Sequence, residues 1–317
     1  MIEKIGTLIE ANQTFLITTH IDPDGDALGS AFSLYWALKS LGKSPSVYLK
    51  DKVPYRYEFL PGPENVLHEI PSDTYDAIVV VDCGSLFRVG EGHEKLKEKG
   101  ALVNIDHHNT SEAFGAFNLI EEGASSTAEI LYRVFRSLKL AMTPEMAVNI
   151  YTAIFTDTGS FRYENTTSSA FLICEEMTRH GVKPAYVSQM VHENHPKERF
   201  LLLGLVFSSM ETYYGGRVAV VHVTKEMFKS TNTTSEYTDG FVEYIREIRG
   251  VEAAVLLREI GDCKFKASMR SKGRVDVAAV GSRFGGGGHK NAAGCVLEGT
   301  LEEVKNKIKE AFYKEFT

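Results

Sequence analysis

Within seven residues, His20-Ile21-Asp22-Pro23-Asp24-Gly25-Asp26, the chain gathers four side chains able to ligate a cation. Such groups repel one another unless positive charge sits among them. An acidic turn capping the next helix, with Asp26 as N-cap, would account for the same residues. An EF-hand loop would not: its glycine falls elsewhere, and the position of the bidentate Glu holds Ser33. Asp82 closes the run YDAIVVVD, Asp106-His107-His108-Asn109 follows ALVNI, and Asp157 lies in FTDTGSFRY. A lone Asp at a strand end is often only a loop cap, and paired histidines are often surface residues. Here three strands each deliver ligand types at one carboxyl edge, where open α/β sheets place their sites.

The elements that must position these groups read as follows. Strands are expected over 14–19, 46–49, 75–82 and 101–106. A helix running to about Leu41 carries Leu28, Phe32, Tyr35 and Leu38 at helical spacing. EKLKEKG reads as a charged surface helix with a glycine stop. Apolar strands separated by helical segments imply an α/β fold with a parallel sheet and helices on both faces. From 125 to about 210 the chain looks helical. Ser125-Ser126-Thr127 caps the first helix, and others are expected over 144–156, 168–180 and 185–210. Beyond Tyr213-Tyr214-Gly215-Gly216, strands over 217–223, 252–259, 263–270 and 295–299 and a helix over 300–316 predict a smaller α/β domain with a mixed sheet.

The 317 residues suit about two domains at roughly 150 residues each. The expected division is a metal-binding catalytic domain over 1–190, a helical linker over 191–213 and a substrate-binding domain over 214–317. With 43% hydrophobic and 24% charged residues, the chain is of ordinary globular type. Its 35 basic and 42 acidic side chains give −7, which excludes a generally basic coat for nucleic acid. No window reaches the roughly 18–20 apolar residues of a membrane span, and the charged N-terminus lacks a signal-peptide core. Cys83, Cys174, Cys263 and Cys295 are widely spaced and form no C-x-x-C pair, which suggests reduced thiols and a cytoplasmic protein.

H-x-D-P-D-G-D-A-x-G-S, the strand-terminal Asp82, D-H-H-N and T-D-T-G-S-F-R together resemble motifs one to four of the DHH phosphoesterase superfamily, over residues 14–163. The resemblance implies ligands His20, Asp24 and Asp82 for one ion. It implies Asp26, Asp82, His107 and Asp157 for a second, with Asp82 bridging. His108 matches a substrate-facing catalytic position, and Asp22 falls where the family varies. The mixed carboxylate and imidazole set suits two Mn2+ ions, with Mg2+, Co2+ or Fe2+ as substitutes, and the lack of thiolate argues against structural zinc. Two ions about 3.5–4 Å apart can activate a water for in-line attack on a phosphate ester, with no protein nucleophile.

Phe284-Gly285-Gly286-Gly287-Gly288-His289 precedes Lys290-Asn291-Ala292-Ala293-Gly294. Glycine runs let backbone amides approach an anion, although a flexible loop would look the same. G-G-G-H-x-x-A-A-G resembles the DHH-associated C-terminal domain, which implies substrate contacts at Arg270, Ser271, Gly287, Gly288 and His289. Arg162 and Arg283 are weaker candidates. Pyrophosphatases of the superfamily lack G-G-G-H, RecJ-type nucleases add an OB-type module that this length does not accommodate, and tethered cyclic-dinucleotide phosphodiesterases add membrane segments. The remaining resemblance is to enzymes that trim oligoribonucleotides of about two to five residues and remove the 3′-phosphate of pAp. It implies short RNA and pAp as partners, no long nucleic acid, no membrane, and room for a homodimer. A phosphodiesterase for linear dinucleotides, or a non-catalytic nucleotide sensor, would use the same residues.

Overall fold

The computed structural model describes residues 1–316, which form two compact units dividing between Asn194 and His195. In the first, the order is α1 (Ile2–Ala11), β1 (Thr14–Thr18), α2 (Gly25–Ser40), β2 (Ser44–Tyr48), β3 (Val66–Leu67), β4 (Ala77–Val81), β5 (Ala101–Asp106), β6 (Phe117–Ile120), α3 (Thr127–Ser137), α4 (Pro144–Asp157), α5 (Ser168–Arg179) and α6 (Pro184–His192). Six strands pair in parallel in the order β3-β2-β1-β4-β5-β6. The direction of strand progression reverses between β1 and β4, so the crevice at their carboxyl ends is a topological switch point. The β4 residues AIVVV are all buried, as a strand covered on both faces requires.

The two faces of this sheet are covered differently. Phe15, Ile17, Val79, Val81, Val103 and Ile105 face the apolar sides of the α-helices. Leu16, Ile78, Val80 and Leu102 face Leu86, Val89 and Leu96 on two 3-10 helices, Leu86–Val89 and His93–Glu98. The second of these is the expected surface helix. It buries only Leu96 and is too short to gain from α-helical pairing.

In the second unit, α7 (Lys197–Ser208) leads into β7 (Glu211–Tyr213), β8 (Val218–Val223), α8 (Lys225–Thr231), α9 (Phe241–Glu247), β9 (Ala253–Gly261), β10 (Lys264–Ser271), α10 (Val277–Ser282), β11 (Gly287–His289), β12 (Ala292–Glu298) and α11 (Leu301–Phe316). The sheet order is β11-β12-β10-β9-β8-β7; β8 and β9 are parallel and the other pairs antiparallel, a mixed sheet as expected. The helix expected over 185–210 is two helices, α6 and α7, with Pro196 as N-cap of the second. Proline disfavours the helical conformation at the residue before it, His195. Leu202 and Val206 of α7 lie in the core of the second unit with Val221 of β8 and Phe241 of α9.

One packing contact decides where the first unit's acids can meet. A Cβ on Gly25 would lie 2.3 Å from Thr156 Oγ1, and one on Gly29 would lie 2.5 Å from the carbonyl oxygen of Asn149. These two glycines, one helical turn apart, let α2 lie against the backbone of α4. Asp26 sits at the start of α2 and Asp157 at the end of α4, so this approach brings the two carboxylates together. Gly29→Ala meets backbone, which cannot move aside as a side chain would. We expect urea unfolding to show a loss of about 1–3 kcal/mol, the usual cost of overpacking; unchanged stability would contradict this packing.

Candidate metal centre

Three strand ends and three helix ends, the starts of α2 and α3 and the end of α4, build the site. His20 follows β1, Asp82 follows β4, and Asp106, His107 and His108 lie at and beyond the end of β5. Asp24 is the N-cap of α2, its Oδ1 accepting from the backbone N–H groups of Asp26 and Ala27, each at 3.0 Å. The capping role considered for Asp26 therefore belongs to Asp24. Asp26 is buried instead, and its carboxylate lies at the N-terminus of α3. It accepts from Thr127 N at 2.7 Å, Ala128 N at 3.2 Å and Ser30 Oγ at 3.0 Å. A helix N-terminus favours an anion there. That terminus is itself fixed by Ser126, which accepts from Glu129 N, while Glu129 reaches back to Ser125 N and Oγ.

Donor atoms of His20, Asp24 and Asp82 lie within 4.8 Å of one another, as do those of Asp26, His107 and Asp157 and those of Asp82, His107 and His108. His20 Nε2 is 3.7 Å from Asp82 Oδ2. His107 Nε2 is 3.8 Å from Asp26 Oδ2, 3.7 Å from Asp82 Oδ1 and 3.6 Å from Asp157 Oδ2. These spacings are too long for hydrogen bonds. They fall within the roughly 3.0–4.2 Å expected of two donors that share one ion at about 2.1 Å each.

The histidines are oriented from behind. His20 Nδ1 lies 2.7 Å from the carbonyl oxygen of Ile21, and His107 Nδ1 lies 3.2 Å from that of Ala124. A carbonyl only accepts, so both Nδ1 atoms carry the proton and Nε2 faces the acids. This is the arrangement in which imidazole serves as a metal ligand. His108 is turned the other way: its Nδ1 donates to Asp106 Oδ1 at 2.8 Å. The fully buried Asp106 also receives the backbone N–H of His107 at 2.9 Å. Asp22, with φ +53, is exposed, and its N–H donates to Asp51 Oδ2.

Electrostatically the cluster lacks positive charge. Among the described residues, no Lys or Arg forms an ion pair with Asp24, Asp26, Asp82 or Asp157. Burial pushes the Asp26 carboxyl well up, and repulsion from Asp82, Asp157 and Asp24 adds to it. Burial also raises Asp157, opposed by His107 and aided by Asp82 and Asp24, to about 7. Burial acts against Asp82 too, but His20, His108 and His107 hold it well below the ordinary carboxylate range. Burial opposes the charge on His108, yet the bond to Asp106 and the nearby Asp82 and Asp157 push it up to about 9. Carboxylates held partly protonated for want of countercharge, facing oriented Nε2 atoms, fit divalent cations in chemistry and in spacing.

Sequence reasoning gave no part in holding the acids to Ser30, Thr127 or Asn165, and no orienting role to Asp106. Thr127 Oγ1 donates to Asp82 Oδ1 at 3.0 Å, and Asn165 Nδ2 donates to Asp157 Oδ2 at 3.0 Å. Ser30, four residues after Asp26 on α2, was the one position a helical spacing argument could have found.

The second unit places its expected substrate residues at one end of its sheet. Arg270 on β10 and His289 on β11 both pair with Ala292 of the intervening β12. Arg270 Nε is 2.8 Å from Glu243 Oε1. Ser271 is buried, its Oγ donating to Asn291 Oδ1 at 3.0 Å. A Cβ on Gly286 would meet the Gly294 carbonyl oxygen at 2.1 Å, and one on Gly288, with φ +143, would meet that of Ala292 at 2.4 Å. At Gly287 a Cβ would meet nothing within 4 Å, so the fold does not demand glycine there. Arg283 is tied to α11 through Glu315 at 2.9 Å.

Comparison with known proteins finds a family model for part of each unit. Residues 14–154 match the model of the DHH family, N-terminal domain, and residues 215–316 match the DHHA1 domain. A Thermus thermophilus protein named bifunctional oligoribonuclease and PAP phosphatase NrnA is 33% identical over 95% of this chain and 90% of its own. A Bacillus subtilis protein of the same name is 25% identical, over 91% of each chain. The crystal structure of an exopolyphosphatase-related protein from Bacteroides fragilis superposes with a TM-score of 0.92 at 28% identity, covering 99% of this chain and 95% of that one.

Because cations and protons compete for Asp26 and Asp157, cation binding should strengthen as pH rises. A carboxyl raised from its ordinary value to about 7 makes the metal-free fold less stable as pH climbs from about 4 to 7, and a bound cation removes that loss. The rise in melting temperature caused by Mn2+ should therefore grow between pH 5.5 and 7.5, and Asp157→Asn should flatten that growth. A Mn2+ effect independent of pH, or none, would contradict the electrostatic reading.

Proposed function

The chain belongs to the DHH family, and on that premise we propose that this metal-dependent hydrolase cleaves oligoribonucleotides of about two to five residues to mononucleotides and removes the 3′-phosphate of pAp. The observation that carries the proposal is the pair of donor groups, His20/Asp24/Asp82 and Asp26/His107/Asp157, meeting at a switch point with Asp82 between them. The full-length likeness to the Thermus thermophilus relative supplies the substrate class. In this reading His20, Asp24 and Asp82 would hold one cation and Asp26, Asp82, His107 and Asp157 a second, Mn2+ by the chemistry of the donors. Cations held there would supply Lewis acidity toward a phosphoryl oxygen and would lower the pKa of a water, so that hydroxide is available to attack phosphorus near neutral pH.

The remaining work belongs to the chain's own side chains. Asp106 holds His108 charged and fixed, so that it can donate a hydrogen bond to a phosphoryl oxygen as negative charge builds there. Thr127 and the start of α3 hold the Asp82 and Asp26 carboxylates in place when cations are absent. The second unit contributes Arg270, whose guanidinium suits a terminal phosphate. His289 and the amides of Gly287 and Gly288 line a terminal nucleotide beside it, with Ser271 ordering the Asn291 segment. No helix among the described residues is long and apolar enough to cross a membrane, which accords with action in the cytoplasm. A homodimer is compatible with this reading and is not required by it.

The experiment is a panel with Mn2+: pAp, labelled ribonucleotides of two to five residues, a strand of about twenty residues, linear dinucleotides with two guanines, and pyrophosphate. Turnover of pAp and the short strands, falling steeply with length, is the expected result. His108→Ala should retain its metal and lose about 10²–10⁴-fold in rate, whereas His107→Ala should lose metal. Equal efficiency on the long strand would point to a processive nuclease and overturn the proposal.

A further inference from the structure

Arg270 lies near the end of β10, along which buried and half-buried residues alternate from Phe265 to Ser271. The alternation turns Phe265, Ala267 and Met269 into the core shared with α10 and α11. Arg270 stands on the opposite face. Its partners in register are Ala254 of β9 and Ala292 of β12, and Ala254 packs in the core that α9 covers. Alanine on either side leaves room for a guanidinium between them. From α9, Glu243 meets it, Oε1 accepting from Arg270 Nε at 2.8 Å. Arg270 Nη1 donates to the Met269 carbonyl at 3.1 Å. A guanidinium carries its N–H donors in a fixed planar fork. Here the Nε–H and one Nη1–H are taken, and among the described residues Nη2 donates to nothing.

An ion pair that merely fastened α9 to the sheet would account for the contact. Phe241, Val242 and Ile245 already bury α9, however, and a partly buried ion pair adds little net stability. A fastening would also use both carboxylate oxygens, whereas Glu243 Oε2 is buried with no hydrogen-bond partner. The carboxylate grips the guanidinium at Nε alone, which fixes its plane and leaves the Nη edge open. We propose that Glu243 is a positioning residue, holding Arg270 by Nε so that the Nη edge takes two oxygens of a substrate's terminal phosphate. Arg270 and His289 flank Ala292 in register, so both stand on this face of the sheet. The carboxylate also offsets the charge of the guanidinium, so selection rests on bond direction more than on attraction for any polyanion. The inference rests on the reading above in which Arg270 meets a substrate phosphate.

The test uses the full chain and a 5′-phosphorylated, 3′-fluorescein-labelled diribonucleotide. Binding is read by anisotropy in EDTA, and KM and kcat are read with Mn2+. Glu243→Ala should weaken binding about tenfold and raise KM by a similar factor, with a smaller change in kcat. Glu243→Gln, which keeps an oxygen at the same reach, should stay within about threefold of the unaltered protein. Glu243→Asp, charged but one methylene short, should bind as poorly as the alanine variant. Should Glu243→Ala unfold, the Gln and Asp variants carry the same comparison. The double variant Glu243→Ala/Arg270→Ala should bind no worse than Arg270→Ala alone, as expected of a residue that acts through another. Additive losses in the double variant would overturn the inference alone. So would near-normal affinity in both Glu243→Ala and Glu243→Asp while Arg270→Ala binds poorly. Unaltered binding in Arg270→Ala, or no binding by the unaltered protein, would overturn the reading of Arg270 as a phosphate contact and this inference with it. Binding that behaves as expected in a protein that hydrolyses none of the substrates would support the positioning role and count against the hydrolytic reading alone.

Discussion

The centre depends on the buried carboxylate of Asp82. Its backbone takes φ +53 directly after β4, held by the bond from its own N–H to the Ile105 carbonyl. That angle is uncommon for a residue with a side chain. One oxygen faces His20 and the other faces His107, His108 and Thr127. Without cations, three imidazoles and a hydroxyl compensate one charge while Asp26 and Asp157 are held towards their neutral forms. The site is thus balanced around one carboxylate and short of positive charge around the rest. Such a state invites cations and costs stability until they arrive.

The geometry that permits this lies in packing away from the acids. Parallel strands end at one edge, and the reversal between β1 and β4 leaves a crevice there. Gly25 and Gly29 let α2 approach α4, and the N-terminus of α3 lies against Asp26. Each of these places a carboxylate without using a flexible loop, so the spacing of the donors is set by the core. Preorganised donors of this kind lose little freedom when they bind an ion or a phosphate.

Much of this was legible in the residues. Apolar runs ending in acids gave β4 and β5 and their edge, and the density of ligand types between His20 and Asp26 marked the crevice. The groups that steady the acids were not legible, because they come from distant parts of the chain. Thr127 lies 101 residues from Asp26 and 45 from Asp82, and a threonine opening a helix looks like an ordinary cap. The capping role considered for Asp26 went to Asp24, whose side chain reaches the free amides, leaving Asp26 to be buried. Helix α1 is not legible in the residues, because charged side chains along it mask the apolar face of Ile5, Leu8 and Ile9. The glycine run resembled a ligand-binding loop, yet Gly286 and Gly288 are already required by the approach of β12.

The central claim is that one carboxylate joins two cation sites. Electron paramagnetic resonance of the protein titrated with Mn2+ tests it directly, since two ions bridged by one carboxylate are magnetically coupled. The account predicts two ions per chain with a coupled spectrum at saturation, replaced in Asp82→Ala by at most weak, isolated ions. A single uncoupled ion at saturation, or a coupled pair that survives Asp82→Ala, would contradict it.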